Sequence, residues 1–225
     1  MAALQIYDKL LQFPLFQGMS RDDLEIVAGH TRFGFQKIAA GRQVIKSGDA
    51  CTHLFFLING TLKVESSGDG NRYTVIEQMS SPYILQQEGI FGYNQRYTHH
   101  FHALTDVNFL TLDKEEVVRL SEDFLVFRLN LLNHFATQTQ KQIRMRWRRS
   151  PQTLREWIVR FFFEHCLYPA GPKTFYILME RLAEEVNDSR LNISHALNAM
   201  QAEGLLELHR GRIEIPQLER LRNEL

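Results

Sequence analysis

The sequence contains few cysteines and no long apolar run. Its only two cysteines in 225 residues are Cys51 and Cys166, and they form no C-x-x-C pair, so a cluster held by protein thiolates alone is not expected. We interpret both as reduced, buried side chains, with a thiol switch as the alternative. No uninterrupted apolar segment approaches the roughly 20 residues that span a bilayer, and the amino terminus lacks the basic and apolar regions of a secretory signal. These absences predict a cytoplasmic protein with no membrane segment.

The sequence also lacks the motifs of the common enzyme classes and any excess of one charge. It has no glycine-rich phosphate loop, nucleophile elbow or H-E-x-x-H, and its scattered histidines and acids form no recognisable catalytic set. We therefore expect no catalytic residues and no enzymatic activity. The formal net charge is zero, from 26 basic and 26 acidic side chains, which excludes an extended basic coat. A few well-placed cations are enough to contact nucleic-acid phosphates, however, so a net charge of zero does not exclude a local nucleic-acid-binding face.

The most informative pattern lies between residues 179 and 215. Apolar residues at helical spacing predict two packed helices, broken by a polar turn at 187–189. Asn187 suits this turn because its short polar side chain tolerates a left-handed backbone, and Ser189 is a good N-cap for the second helix. A predicted hairpin follows, with H-R-G-R at its tip. The segment is therefore predicted to be a helix-turn-helix followed by a wing.

The second of these helices has an outward face that could contact a ligand. In a helix-turn-helix, the amino-terminal part of that face enters the major groove of DNA. Two basic clusters lie elsewhere, at 141–149 and around Gly211 in the wing, although the helix dipole explains the first one equally well. The residues predicted to face outward on the helix are Arg190, Leu191, Ser194, His195 and Asn198, and those at the wing are His209, Arg210 and Arg212.

The first part of the chain has a different pattern. Ser20 is predicted to cap a helix, and short alternating runs at 42–45, 54–58, 61–65, 73–78 and 107–112 are separated by glycine-containing turns. Many short strands at this spacing predict a double-sheet jelly roll or barrel.

Helical spacing returns over 114–147, with so much apolar surface that the predicted helix needs a partner. Its own sheet could cover part of this surface, and a second copy of the chain in a two-fold arrangement could cover the rest. The alternative is a helix that packs only on its own domain. The recurring apolar residues are Val117, Leu120, Phe124, Phe127, Leu131, Phe135 and Ile143.

The order of these parts resembles the cyclic AMP receptor protein and fumarate–nitrate reductase regulator (Crp/Fnr) family of bacterial transcription factors. The resemblance covers nearly the whole chain and is carried by A-A-G-R-Q-V-I-K-S-G-D-A-C-T-H-L-F-F-L-I-N-G-T-L-K-V-E at 39–65 and by S-R-L-N-I-S-H-A-L-N-A-M-Q-A-E-G-L-L at 189–206. It implies an α+β fold with a β-roll effector or sensor domain at 1–113, a long dimerisation helix at 114–148 and a winged helix-turn-helix DNA-binding domain at 149–225. It also implies a homodimer that binds a pseudo-palindromic site on double-stranded DNA and contacts RNA polymerase.

The resemblance assigns roles to individual residues of the second helix. Ser189 and Asn192 would hold phosphates, and Arg190 would read a guanine, because its guanidinium fork matches the O6 and N7 acceptors. His195 stands where the family often has arginine. Leu191 stands where several members have an acid, so the operator is expected to differ at that position. For Arg190 and His195, the alternative is an ordinary solvated helix face.

The expected effector pocket departs from the family pattern. Members that bind cyclic AMP carry G-E and, about ten residues later, R-S; here Gln86-Gln87 and Tyr97-Thr98 occupy these places. A buried phosphate would then lose its main charge-assisted contact. A one-residue slip could bring in Arg96, but it would reverse the face of every neighbouring side chain. Cyclic AMP is therefore not predicted, while haem, another small effector or a roll without any ligand stay open.

The triplet His99, His100 and His102 suggests a metal or haem site, but alternate strand residues face opposite sides and at most two could converge. We predict satisfied or exposed histidines and no metal site. The leading functional hypothesis is a homodimeric, sequence-specific DNA-binding regulator. The alternative is a ligand-sensing module whose winged-helix domain mediates protein contacts.

Overall fold

The computed structural model describes residues 7–224, which fold into two compact units. The first unit contains the chain up to Leu62 together with Met79–Thr98 and His102–Arg148; the second contains Lys63–Gln78, His99–Phe101 and the chain from Arg149 onward. The β-rich region therefore contributes strands to both units. The predicted division into three parts at residues 113 and 148 stays a prediction.

The first unit begins with helical segments that pack through aromatic side chains. Ser20 caps helix α1 (Arg21–His30) as predicted, because its hydroxyl accepts a hydrogen bond from the Asp23 amide at 3.0 Å. The preceding segment buries Phe13 against Phe56, with ring centroids 5.1 Å apart, and Phe16 against Phe127 at 5.3 Å. These contacts fix the amino-terminal segment to the apolar core of the unit.

A four-stranded sheet forms the centre of the first unit. Strands β1 (Gly34–Ile38), β8 (Val107–Asp113), β3 (His53–Asn59) and β6 (Tyr83–Leu85) lie in that order, and each neighbouring pair is antiparallel. Strands β2 (Gln43–Ile45) and β7 (His100–Ala103) lie side by side in a second sheet. Each of the five strands predicted from the alternating pattern is found, with ends that differ by no more than two residues.

The continuous helix predicted over 114–147 is instead two helices. Helix α2 (Lys114–Asp123) is capped by Asp113, and helix α3 (Leu125–Arg146) follows after Phe124. Phe124 has extended dihedral angles, φ −122° and ψ 104°, so the helical hydrogen bonding stops there. The apolar repeat continues across this break, which is why periodicity alone predicted one helix.

The second unit combines a sheet with three helices. Strands β10 (Glu207–His209), β11 (Arg212–Ile215), β9 (Lys173–Tyr176), β5 (Thr74–Ser80) and β4 (Thr61–Ser67) lie in that order. Helices α4 (Leu154–Glu164), α5 (Met179–Val186) and α6 (Arg190–Ala202) bury apolar side chains in one cluster with this sheet. The fully buried members include Phe162, Phe175, Leu182, Ile193, Leu197 and Met200.

An ion pair is buried where β5 pairs with β9. Glu77 lies opposite Lys173 in the antiparallel register, and their side chains, 0% and 1% exposed, meet with Oε1 and Nζ 2.9 Å apart. The Glu77 carboxylate also accepts hydrogen bonds from the amides of Leu167 and Tyr168. A buried charge is tolerated only when it is paired and hydrogen-bonded, so these contacts explain how two charged residues fit into the interior.

Among the described residues, no helix combines the length and apolar character that a membrane span requires.

Candidate nucleic-acid interface

The turn between α5 and α6 has the conformation that its sequence favours. Asn187 ends α5 in the left-handed region, with φ 55° and ψ 51°. Ser189 caps α6, because its hydroxyl accepts a hydrogen bond from the Asn192 amide at 3.2 Å. The predicted turn and cap are both confirmed.

Asp188, for which the sequence predicted no separate role, organises the start of α6. Its Oδ1 accepts hydrogen bonds from the Ser189 amide at 2.6 Å and from the Asn192 side-chain amide at 2.8 Å. A carboxylate at this place is also stabilised by the positive end of the helix dipole. Asp188 thus holds the side chain of Asn192, one of the two predicted phosphate contacts. The sequence signal for this role is weak, because Asp188 precedes the N-cap and does not lie in the first turn, where acids are enriched.

The outward face of α6 carries the predicted base-reading residues. Arg190 is 68% exposed along its side chain and lies 3.7 Å, from Nε to Oε1, from Glu180 of α5. Leu191 is 66% exposed, and His195 is also exposed. Asn198 donates from its side-chain amide to the carbonyl of Ser194 at 2.7 Å. Four of the five residues are therefore exposed and Ser194 is half-buried, while the opposite face of the helix lies in the core.

The wing is a two-residue hairpin between β10 and β11. Arg210 is exposed at its tip, beside Gly211, whose φ of 71° lies in the left-handed region. Behind the tip, His209 Nε2 lies 3.9 Å from Glu207 and 3.7 Å from Glu214. These three side chains have donor types and spacing that could hold a metal ion, but Glu214 already pairs with Arg212 at 3.0 Å.

A groove runs between the wing and the start of α6. It has a volume of about 330 Å³ and is lined by both the predicted base-reading arginine and the wing tip. Its lining residues include Leu178, Glu180, Arg190, His209, Arg210 and Gly211. The arrangement brings the predicted wing and helix residues to a common surface.

Exposed cations lie in the 141–149 cluster at the end of α3. Lys141, Arg144 and Arg148 are exposed, and the side chain of Arg146 lies outside the described part. Arg149 pairs with Glu156 at 3.3 Å. Trp147 is 84% exposed within the same stretch.

The four residues predicted to line an effector pocket are mostly engaged with the protein itself. Gln86 is buried and has a left-handed backbone, with φ 37°. Its side-chain amide donates to the Arg96 carbonyl at 3.2 Å, and its oxygen accepts from the Thr98 amide at 2.8 Å. The Arg96 guanidinium donates to the Gly48 carbonyl at 2.6 Å. The Gln86 side-chain amide thus links the end of β6 to the residues at 96–98 that precede β7.

Gln87 and Tyr97 of the cassette are buried as well. Gln87 donates from Nε2 to His134 Nδ1 of α3 at 3.1 Å, and Tyr97 donates from its hydroxyl to the His53 carbonyl at 2.8 Å. Burial raises the pKa of Tyr97 far above its usual range, and the hydrogen bond with Cys51 acts in the same direction. Thr98 is exposed. Of the four residues predicted to line the pocket, Gln86, Gln87 and Tyr97 are therefore buried and hydrogen-bonded within their own unit.

The histidine triplet does not converge on one point. His99 Nδ1 lies 2.8 Å from the Ser66 hydroxyl, and burial lowers the pKa of His99. His100 and His102 follow in β7 with partners of their own. Of the described residues, those that come close enough for a metal ion are in the wing.

Two family models match the chain. A cyclic nucleotide-binding domain model matches residues 35–124, and a Crp-like helix-turn-helix domain model matches residues 156–224. Solved structures share the fold across both regions. The catabolite activator protein of Thermus thermophilus is 17% identical, with 94% of this chain and 98% of that chain covered and a TM-score of 0.52. The chain belongs to the Crp/Fnr family.

Two further solved structures share the fold. A protein from Eubacterium rectale, described as a regulator of the Crp/Fnr family, is 19% identical over 95% of this chain and 98% of that chain, with a TM-score of 0.54. The sensor domain of the regulator DNR from Pseudomonas aeruginosa is 17% identical over 68% of this chain and 97% of that chain, also with a TM-score of 0.54. No curated protein sequence matches the chain.

The Crp/Fnr assignment confirms the predicted fold class. An amino-terminal β-roll of the cyclic nucleotide-binding type is followed by a long helix and a carboxy-terminal Crp-like helix-turn-helix. The chain is thus a transcription regulator of the Crp/Fnr type. The roles of individual residues in DNA binding and effector binding stay predictions.

Proposed function

We propose that this regulator is a homodimer that binds a pseudo-palindromic DNA operator through α6 and the wing. The observation that carries the proposal is the exposed amino-terminal face of a capped second helix within a Crp-like helix-turn-helix. Such a face enters the major groove, and a dimer would read two half-sites about one helical turn apart.

The residues of the interface divide into two groups by chemistry. Arg190 would read a guanine, because its guanidinium presents paired donors to O6 and N7. Leu191 would contact a thymine methyl group, and His195 would donate to a base or a phosphate. The residues proposed to contact phosphates or position the helix are Ser189, Asn192, Ser194, Asn198, His209 and Arg210.

The proposed dimer is supported by an apolar stripe on α3. Leu125, Leu129, Leu132 and Ile143 are 56%, 47%, 57% and 51% exposed, and they recur at the spacing of a coiled-coil seam, with Ala136 and Thr139 in the intervening places. Phe127 and Leu131, which belong to the apolar repeat of the sequence, are buried within their own unit instead. A seam of this kind buries its apolar side chains against the same helix of a second copy.

We infer that cyclic AMP is not the effector. The places of the ribose-binding acid and the phosphate-binding arginine hold Gln86, Gln87, Tyr97 and Thr98, and Arg96 donates to a main-chain carbonyl. Nothing in this set compensates a buried phosphate, whose charge needs a paired cation. Haem or another small effector stays open, and no metal or other cofactor is proposed. The protein would act as a regulator rather than an enzyme, in the cytoplasm, and would contact RNA polymerase.

The proposal is tested by selection from random DNA. Purified protein, without added ligand, is incubated with a random-sequence duplex pool at near-physiological salt, and the retained DNA is sequenced. Recovery of a two-fold symmetric motif supports the proposal and identifies the operator. If nothing specific is recovered, the selection is repeated with cell metabolites; failure there as well would favour the alternative, in which the winged helix contacts proteins.

A further inference from the structure

We propose that Glu180 is a specificity-determining residue: it orients Arg190 for guanine and opposes binding of the same arginine to phosphates. This inference rests on the proposed function, since it concerns how α6 distinguishes its operator from other DNA. It assigns a role to a residue of α5, and not to a residue of α6, the helix that is proposed to enter the major groove.

The two side chains meet on the surface that is proposed to face DNA. Glu180 lies in the first turn of α5 and Arg190 is the first residue of α6. Their contact, from Oε1 to Nε, measures 3.7 Å, and the side chains are 69% and 68% exposed. Both residues line the groove beside the wing, and both also line a second groove of about 620 Å³ at the helix-turn-helix turn. The pair therefore lies between the two grooves.

The other acids of the second groove are already engaged. Glu184 pairs with Arg181 at 2.7 Å and with Arg72 at 3.9 Å. Asp188 accepts hydrogen bonds from the start of α6. Glu180 differs because its cation partner is the arginine that is proposed to read the operator.

The atoms used in this contact leave the base-reading group of Arg190 available. Glu180 lies near Nε, so both Nη groups can still donate to O6 and N7 of a guanine. A phosphate of non-specific DNA offers no such paired base edge, and it is repelled by the nearby Glu180 carboxylate. Glu180 should therefore disfavour random DNA while preserving the contact with the operator.

The test replaces Glu180 by its neutral isostere in the full-length protein. Glu180→Gln and wild type are compared by fluorescence anisotropy on the selected operator and on a scrambled duplex at several salt concentrations. We expect the variant to bind scrambled DNA about two- to five-fold more tightly, the size of an exposed charge interaction, with no gain on the operator. The salt dependence on scrambled DNA should become steeper by about 0.9 per added phosphate contact.

Two controls separate the role of Glu180 from the general effect of removing an acid. Glu184→Gln removes the same charge from the same groove but does not touch Arg190, so it should leave the preference for guanine at the Arg190 position unchanged. In an Arg190→Ala background, Glu180→Gln should no longer alter the ratio of operator to scrambled affinity.

The outcomes distinguish this inference from the proposed function. If wild type prefers no DNA sequence, with or without cell metabolites, the proposed function fails and this inference fails with it. If wild type prefers its operator but Glu180→Gln leaves the affinity ratio unchanged, only the inference is overturned. Equal changes in Glu180→Gln and Glu184→Gln would also overturn it, because they would indicate a general charge effect.

Discussion

Arg190 is the residue whose loss should change sequence preference most directly. We expect Arg190→Ala to lose about 1–3 kcal/mol of binding free energy on the operator, and to relax the preference at one base pair of each half-site. The measurement is a set of dissociation constants for the operator and for its single-base variants. An equal loss on every sequence would assign Arg190 to phosphate binding instead.

The residues around Arg190 show which parts of the interface are local enough to predict. Asn187 and Ser189 were predictable because a left-handed turn and an N-cap depend on the residue itself and its immediate neighbours. The contact between Glu180 and Arg190 joins two helices across that turn. It depends on how the helices pack, and no pattern in the sequence specifies that distance.

The pairing of β5 with β9 should depend on both partners of the buried ion pair. Replacing Lys173 alone by methionine leaves the Glu77 carboxylate buried without a counter-charge, so we expect a loss of about 3–5 kcal/mol in the free energy of unfolding. Combining it with Glu77→Gln should recover part of this loss, because the buried charge is removed, although the single amide oxygen can replace only one of the two carboxylate oxygens that accept from the Leu167 and Tyr168 amides.

Urea denaturation of wild type, both single variants and the double variant measures this coupling as a double-mutant cycle. A double variant no more stable than Lys173→Met would contradict the explanation. The exposed pair of Arg21 and Glu25 offers a matched control, since an exposed pair is worth at most about 1 kcal/mol.

Some strands and helix ends could be predicted from the sequence and others could not. Alternating runs predicted strands such as β4 and β5 because buried and more exposed positions alternate along them. Strand β9 was missed: it has four residues, and it pairs with β11 and with β5, about a hundred residues earlier in the chain. The break at Phe124 was missed because no proline or glycine lies there and the apolar repeat continues across it.

The stability of the whole chain should fall in mild acid. Burial lowers the pKa of His99 and of His134 below the ordinary value, so the folded chain binds fewer protons at these sites than the unfolded chain does. Their contribution to stability is complete above about pH 6.5, the usual histidine pKa, and is lost as pH falls through the lowered values.

Urea midpoints between pH 7 and pH 5 measure this loss. His134→Gln, which cannot titrate, should lose less stability over the same range than wild type. Asn133→Gln, a substitution at an exposed position of the same helix that changes no titratable group, serves as the control and should follow wild type. Identical pH dependence of wild type and His134→Gln would remove His134 from the explanation.

Dimerisation should depend on the exposed stripe of α3 and should in turn determine DNA affinity. Leu129→Glu places a carboxylate on this stripe, and in a parallel two-fold arrangement the same substitution on the second copy brings two charges into an apolar seam. We expect the variant to sediment as a monomer, and its operator affinity to fall by about 100-fold or more, because two linked half-site contacts become one.

Gln138→Glu introduces the same charge at an exposed position of α3 away from the stripe and should sediment as a dimer. If Leu129→Glu also stayed dimeric with unchanged operator affinity, the subunits would have to associate through another surface. In that case α3 would pack only on its own unit, through buried side chains such as Phe127 and Leu131.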